Sequence, residues 1–78
     1  MGQIIPLELL NCGDQGLVCD IAGEESFVHR LAEMGLRVGG NVKMIRPGSP
    51  CIIAIENHRF SVRCDELAAV LVELEHLP

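Results

Sequence analysis

Residues 51–64 read Cys-Ile-Ile-Ala-Ile-Glu-Asn-His-Arg-Phe-Ser-Val-Arg-Cys, and they carry the clearest structural pattern in the chain. Two runs that contain β-branched and aromatic residues flank the dipeptide Asn57-His58. Asn tolerates the positive φ that a two-residue turn requires. The stretch therefore predicts a β-hairpin with strands over residues 51–56 and 59–63.

A turn centred between residues 57 and 58 also predicts the register of this hairpin. On one face it places Glu56 opposite Arg59, an opposite-charge pair, among residues of mixed polarity. The other face is wholly apolar and ends with Cys51 opposite Cys64. Because one face is apolar and the other is mixed, we expect the apolar face to cover a core.

One short helix is predicted before the hairpin. Ser26 is a good N-cap, and Phe27, Leu31 and Met34 follow at helical spacing as one apolar stripe. Gly35 stands where the left-handed residue that ends a helix is expected. The helix should therefore run for about two and a half turns of 3.6 residues.

Three further strands are predicted from short runs with a period of two that end at turn residues. They are Leu17–Ile21, residues 42–46 and, after a turn at residues 64–69, Val70–Leu74. Together with the hairpin they make five strands, joined by tight turns within 78 residues. This pattern predicts a mainly all-β fold, a small SH3-like barrel of antiparallel strands with one short α-helix inserted after the first strand.

The composition favours a single domain over residues 1–78. Hydrophobic residues make up 49% of the chain and charged residues 22%, which is typical of a folded protein. No apolar run approaches the length of about 20 residues that a membrane span needs, and no signal-like segment opens the chain. The four cysteines are best interpreted as reduced thiols, so we expect a cytoplasmic protein with no direct membrane insertion.

The charge balance argues against anionic partners. Eleven acidic and six basic residues give a net charge of −5, which opposes binding to nucleic acid or to an anionic lipid surface. The chain has no Trp, no Tyr and two Phe, so it offers few platforms on which bases could stack. We therefore expect no nucleic-acid partner.

Catalytic motifs are also lacking in the sequence. There is no phosphate-binding G-x-x-x-x-G-K-[ST] loop. Ser26 and His29 lie three residues apart at the start of the helix, without an orienting acid beside them. Glu24, Glu25 and Glu33 fit a solvated helix face. We predict that the protein is not an enzyme.

A family resemblance rests on the end of the helix and the residues after it. Residues 30–36, Arg-Leu-Ala-Glu-Met-Gly-Leu, followed by Gly39 and Val42, resemble the signature of the ferrous iron transport protein A (FeoA) family. The resemblance spans residues 7–75. Its other matching positions are Gly13, Gly16, Val18, Ile55, Phe60, Val62 and Arg63.

The resemblance implies a non-enzymatic accessory or regulatory protein of bacterial ferrous iron uptake. Proteins of this family work with FeoB, a large membrane transporter that carries a cytosolic G domain. Docking on the cytosolic part of FeoB is therefore the function we expect. The same domain type also occurs as a C-terminal SH3-like module of iron-dependent repressors.

A partner surface is expected around the helix and the hairpin. Arg is a preferred anchor at protein interfaces, which favours Arg30, beside the apolar stripe, as a residue of the partner surface. The candidate partner-binding residues are Arg30, Glu33, Met34, Leu36 and Arg63. In the alternative interpretation, Arg30 and Glu33 pair with each other and with Arg37, and Met34 belongs to the core.

Cys51 and Cys64 are the sharpest candidate metal ligands, because the predicted register makes them neighbours. Thiolates suit zinc and iron–sulfur sites, but such sites usually have four ligands and the sequence offers two candidates here. Packed core thiols are the alternative. A second pair, His29 and Glu33, could chelate an ion from one helix face or simply form a weak contact.

Two functions therefore remain open on the sequence alone. The sequence predicts no particular cofactor, with Fe²⁺ or another transition metal left open, and the family resemblance implies a protein that docks on FeoB. The alternative is a small metal-binding or metal-sensing SH3-like domain, which binds Fe²⁺ or another transition metal and acts through self-association or a repressor-type partner. A homo-oligomer formed through an uncovered barrel edge is compatible with either function.

Overall fold

The computed structural model describes residues 3–74, which form one antiparallel sheet with two short helices. Across the sheet, the strands follow in the order Ile4–Pro6, Val70–Leu74, Gln15–Ile21, Asn41–Arg46, Cys51–Ile55 and His58–Val62, and every neighbouring pair is antiparallel, as the sequence predicted. A 3₁₀ turn, Leu7–Leu9, follows the first strand. The elements in chain order are β1 (Ile4–Pro6), β2 (Gln15–Ile21), α1 (Glu25–Glu33), β3 (Asn41–Arg46), β4 (Cys51–Ile55), β5 (His58–Val62), α2 (Cys64–Leu67) and β6 (Val70–Leu74).

The sheet has one strand more than the five that the sequence predicted. The additional strand is β1, which pairs with β6 and places Ile5 opposite Val72. The backbone N–H of Leu74 extends this pairing by donating to the carbonyl of Gln3 at 2.8 Å. Because β1 has only three residues and ends at Pro6, its alternation is too short to read from the sequence. The helix α1 therefore follows the second strand of the fold.

The hairpin forms, but its predicted register is wrong. The turn is Glu56-Asn57, with φ of 49° and 72°, and positive φ at both positions is typical of a type I′ turn. Cys51 consequently lies opposite Val62, not opposite Cys64. The shift is two residues along the partner strand, so every side chain keeps its predicted face. It also leaves the residues after Val62 free to form α2.

Two irregularities bend the sheet. The register of β2 against β6 shifts between Val18 and Asp20, and that of β3 against β4 shifts between Met44 and Arg46. Such bulges insert an extra residue into one strand and increase its local twist. They account for the strong curvature that so short an antiparallel sheet needs to enclose a core.

Helix α1 begins two residues before the predicted start. Its N-cap is Glu24, which makes no side-chain capping bond, and Ser26 lies inside the first turn. The ring of Phe27 packs directly over Gly23, where an added Cβ would lie 3.0 Å from Cδ2 of the ring. Glu24 and not Ser26 occupies the N-cap position, so the predicted N-cap is wrong.

The end of α1 follows the prediction. Gly35 has φ of +96°, its N–H donates to the carbonyl of Ala32, and the N–H of Leu36 donates to the carbonyl of Leu31. This pair of bonds defines a Schellman motif, and the buried side chains of Leu31 and Leu36 form its hydrophobic contact. The chain therefore reverses at Gly35 and turns back towards the sheet.

The residues predicted as a turn before the last strand contain the one-turn helix α2. The N–H groups of Glu66 and Leu67 both donate to the carbonyl of Arg63, and the side chain of Leu67 is fully buried. Four residues are too few to show a helical period in the sequence. The buried residues that form the core are Leu7, Leu10, Val18, Leu31, Leu36, Val42, Met44, Cys51, Ile53, Ile55, Val62, Leu67, Val70 and Val72.

Replacing Gly35 by Ala tests the end of α1. The positive φ costs a residue with a Cβ about 1–2 kcal/mol, and the new methyl group would lie 3.2 Å from Cγ2 of Ile55. Gly35→Ala should therefore lower the free energy of unfolding in urea by more than the φ cost alone. Gly13→Ala is the control, since Gly13 has φ of +90° but an added Cβ there meets nothing within 4 Å. Equal losses in the two variants would contradict the packing of Gly35 against Ile55.

Candidate partner-docking site

The two helices meet at an ion pair between Arg30 and Glu66. A guanidinium nitrogen of Arg30, Nη2, donates to Oε1 of Glu66. The side chain of Arg30 is 56% exposed and that of Glu66 is 26% exposed. An exposed pair of this kind contributes about 0–1 kcal/mol to stability. Its main consequence is therefore to fix the position of the Arg30 side chain between α1 and α2.

The aromatic ring of Phe27 lies against the guanidinium group of Arg30. The guanidinium carbon lies 5.8 Å from the ring centroid, within the range of a cation–π contact. Phe27 is itself half-buried and packs against the core. Ser26, Phe27 and Arg30 line a shallow depression at this surface. We call this part of the molecule the helix corner, comprising Phe27, Arg30 and Glu66, with Glu33, Met34 and Arg63 around it.

Glu33 pairs with His29 at the exposed end of α1. Nε2 of His29 lies 3.1 Å from Oε1 of Glu33, with the two side chains 75% and 68% exposed. The alternative in which Glu33 pairs with Arg30 is therefore wrong. So exposed a pair forms the weak i, i+4 contact that the sequence allowed.

The other predicted docking residues differ in their burial. Met34 caps the C-terminus of α1 and is half-buried against the core. Leu36 is 1% exposed, so its side chain belongs to the core and contributes to docking only by holding the end of the helix. Arg63 is exposed and lies three residues before Glu66, directly before α2. Arg30 and Glu33 thus lie on α1, Met34 lies at its C-terminal end, and Arg63 lies directly before α2.

The sequence did not reveal Glu66 as the partner of Arg30. The two residues are 36 positions apart, and their contact depends on α2, which was predicted as a turn. The available signal was the run Asp65-Glu66-Leu67-Ala68-Ala69, in which several residues favour helix. A run of that length does not indicate which face of another helix it meets.

The candidate metal ligands are not neighbours across the hairpin. Cys51 is buried opposite Val62, and its thiol donates to the carbonyl of Gly48 at 2.8 Å. The backbone of Cys64 begins α2, while its side chain lies outside the described part of the structure. Among the described side chains of residues 3–74, which do not include that of Cys64, no group of three or more His, Cys, Asp or Glu is arranged to hold a metal ion. Metal binding at Cys51 and Cys64 stays a prediction.

The remaining described thiols also contact backbone carbonyl groups. Cys12 is exposed and donates to the carbonyl of Ile45 at 3.0 Å, and Cys19 is half-buried. Among the described residues, no helix has the length and apolar character that crossing a membrane requires.

The matches to known protein families and solved structures cover nearly all of the described chain. The family model of the FeoA domain matches residues 5–74. Comparison with curated protein sequences gave no match. A crystal structure of an iron uptake regulatory protein, FeoA, superposes with a TM-score of 0.90 at 27% identity, covering 94% of this chain and 100% of that chain.

Two further structures share the architecture. The FeoA of Stenotrophomonas maltophilia, a prokaryotic SH3 domain protein crystallised with zinc, superposes with a TM-score of 0.73 at 26% identity, covering 86% of this chain and 87% of that chain. The T. acidophilum protein IdeR superposes with a TM-score of 0.85 at 16% identity, covering 92% of this chain and 34% of that chain, a likeness of fold. These comparisons confirm the predicted SH3-like fold. The family match over residues 5–74 shows that the chain belongs to the FeoA domain family, which is linked to ferrous iron transport.

Proposed function

We propose that the protein is a non-catalytic accessory or regulatory protein of bacterial ferrous iron uptake that docks, in the cytoplasm, on the cytosolic region of the transporter FeoB. The observation that carries this proposal is the match to the FeoA domain over nearly the whole chain. The superposition with an iron uptake regulatory protein over 94% of the chain supports it.

The helix corner is the docking surface in this proposal. Arg30 is more than half exposed, and Glu66 and the ring of Phe27 already hold its guanidinium in place. An Arg side chain that is ordered before binding loses less conformational entropy when it meets a partner. Glu33, Met34 and Arg63 lie around it and extend the contact area. Arg30 is the anchor of this surface.

Docking would act on the transporter by changing the relative populations of its conformations. A protein that binds one conformation of its partner more tightly than another moves the equilibrium towards the first, by no more than the difference in binding free energy. FeoB carries a G domain, so its nucleotide state is the equilibrium that docking at the helix corner would bias. Preference for one nucleotide state is therefore part of the proposal.

Direct metal binding is the second candidate function. The observation that favours it is the zinc-bound structure of the Stenotrophomonas FeoA. In the present chain, the residues for such a site would be Cys51 and Cys64, and the thiol of Cys51 already donates to Gly48. A two-thiol set supplies half of the ligands that zinc usually takes. Docking therefore remains the better supported function.

Replacing Arg30 by Ala should weaken ferrous iron uptake. Truncating an Arg anchor at an interface costs about 2 kcal/mol or more of binding free energy, so FeoB-dependent uptake by cells that carry the variant should fall severalfold. Arg37→Ala is the matched control, since Arg37 is also exposed but lies in the loop after α1. Uptake at the wild-type rate in cells with normal amounts of Arg30→Ala would remove Arg30 from the interface.

The same variant should keep its stability. The ion pair of Arg30 with Glu66 is exposed, so its loss should change the free energy of unfolding by no more than about 1 kcal/mol. Thermal unfolding followed by circular dichroism measures this change. A loss of stability large enough to unfold Arg30→Ala at growth temperature would assign Arg30 a structural role.

Anaerobic titration with Fe²⁺ separates the two functions. If the protein acts by docking alone, calorimetry should show no saturable heat. If it binds metal at the thiols, the heat should be stoichiometric and should disappear in Cys51→Ser and in Cys64→Ser. Cys12→Ser is the control, because Cys12 is an exposed thiol outside the proposed pair. Saturable heat lost only in the first two variants would favour the metal function over docking.

A further inference from the structure

The outer surface of β3, β4 and β5 is positively charged. Side chains of these strands alternate between the core and solvent, and the solvent side holds Lys43, Arg46, Ile52, Ala54, Arg59 and Ser61, which we call the basic face. Three of the chain's six basic residues therefore lie on one side of a three-stranded sheet. The strand positions of this face contain no acidic residue.

This concentration of charge contrasts with the rest of the molecule, since the whole chain carries a net charge of −5. The ion pairs found within residues 3–74 are His29 with Glu33 and Arg30 with Glu66, so the cations of the basic face are not engaged in them. Glu56, in the turn at the edge of the face, lines a shallow depression together with Lys43 and Ala54. The cations on the rest of the face are solvated and accessible.

Ala54 forms a notch between two of the cations. The register places Lys43 opposite Ala54 and Ala54 opposite Arg59, so the three residues make one row across the sheet. Adjacent strands lie about 4.8 Å apart, which puts the backbones of the outer two residues about 10 Å from each other. Because Ala54 is short, a carboxylate fits above it, between an ammonium and a guanidinium group.

A second row lies beside the first. Arg46 is opposite Ile52, which is opposite Ser61. Along β4, Ile52 and Ala54 are two residues apart, a distance of about 7 Å that equals the spacing of alternate side chains in an extended peptide. An extended peptide with acidic residues at alternate positions therefore matches both rows at once.

We propose that the basic face binds an extended acidic segment of a partner protein, with one carboxylate above Ala54 between Lys43 and Arg59 and another beside Arg46. Charge-assisted hydrogen bonds from guanidinium to carboxylate give such a contact its strength. This surface contains none of the residues of the helix corner, so it does not depend on the docking function proposed above.

The chemistry of the face favours a protein segment over other anions. The face carries no aromatic side chain on which a base could stack. Its apolar side chains, Ile52 and Ala54, are half-buried and offer little to the interior of a bilayer. A second copy that met this face with its own basic face would bring cations against cations, since the strand positions of the face hold no acidic residue.

Binding of a labelled peptide with five Glu-Ser repeats, followed by fluorescence anisotropy at low ionic strength, tests this proposal. The wild-type protein should bind it saturably and should not bind the corresponding Gln-Ser peptide. Arg59→Glu should weaken binding by about tenfold or more, whereas Arg37→Glu, with the same change in charge, should weaken it by less than about twofold. Absence of binding, or equal losses in the two variants, would overturn the proposal.

Two further variants separate the notch from a diffuse charge effect. Ala54→Leu fills the notch without changing the charge and should weaken binding severalfold, whereas Ala68→Leu, at an exposed position outside the face, should not. Lys43→Gln replaces the other flanking cation without adding a negative charge. If Arg59→Glu does not fold, this variant still tests whether the cations on either side of Ala54 bind the peptide. Unchanged binding by both Ala54→Leu and Lys43→Gln would overturn the proposed geometry.

The other possible occupants are tested with the same proteins. Vesicles that contain phosphatidylserine should not bind, and sedimentation should give the same molecular mass for the wild type and Arg59→Glu. Binding to vesicles without binding to the peptide would assign the face to lipid. A dimer that Arg59→Glu dissociates would assign it to a second copy. Either result would overturn the proposal.

Discussion

The packing of Gly35 against Ile55 joins the helix to the hairpin, and the surfaces of the molecule depend on it. At this point α1 ends in a Schellman motif, and the backbone comes so close to Ile55 that an added Cβ would lie 3.2 Å from its side chain. The motif buries Leu31 and Leu36 in the core. With that end of α1 fixed, Arg30 on the same helix lies within reach of Glu66 on α2.

Features encoded by neighbouring residues could be predicted from the sequence, and those that depend on distant residues could not. The end of α1 followed from Gly35 and its flanking residues, and the strand Val70–Leu74 was predicted with the bounds it has. The hairpin was predicted with the correct faces. Its register was wrong because the choice between two adjacent turns depends on how Cys51 and Val62 meet in the core. The contact of Arg30 with Glu66 was missed for the same reason, since it joins residues 36 positions apart.

Net charge describes the whole chain, whereas binding depends on where the charges lie. A value of −5 correctly describes a chain with 11 acidic and 6 basic residues. The pairing of β3, β4 and β5 nevertheless brings Lys43, Arg46 and Arg59 together on one face. These residues are up to 16 positions apart in the sequence, so no local run of basic residues indicates the face. The two proposed contacts, at the helix corner and at the basic face, would therefore use distinct surfaces.

If this member of the FeoA domain family acts by docking on its transporter, it must bind the cytosolic region of that transporter directly. The most direct test is to measure binding between the full chain and the purified cytosolic region of FeoB from the same organism, without nucleotide and with GDP or a non-hydrolysable GTP analogue. We expect saturable binding whose affinity changes with the bound nucleotide. Absence of binding in every nucleotide state would contradict docking.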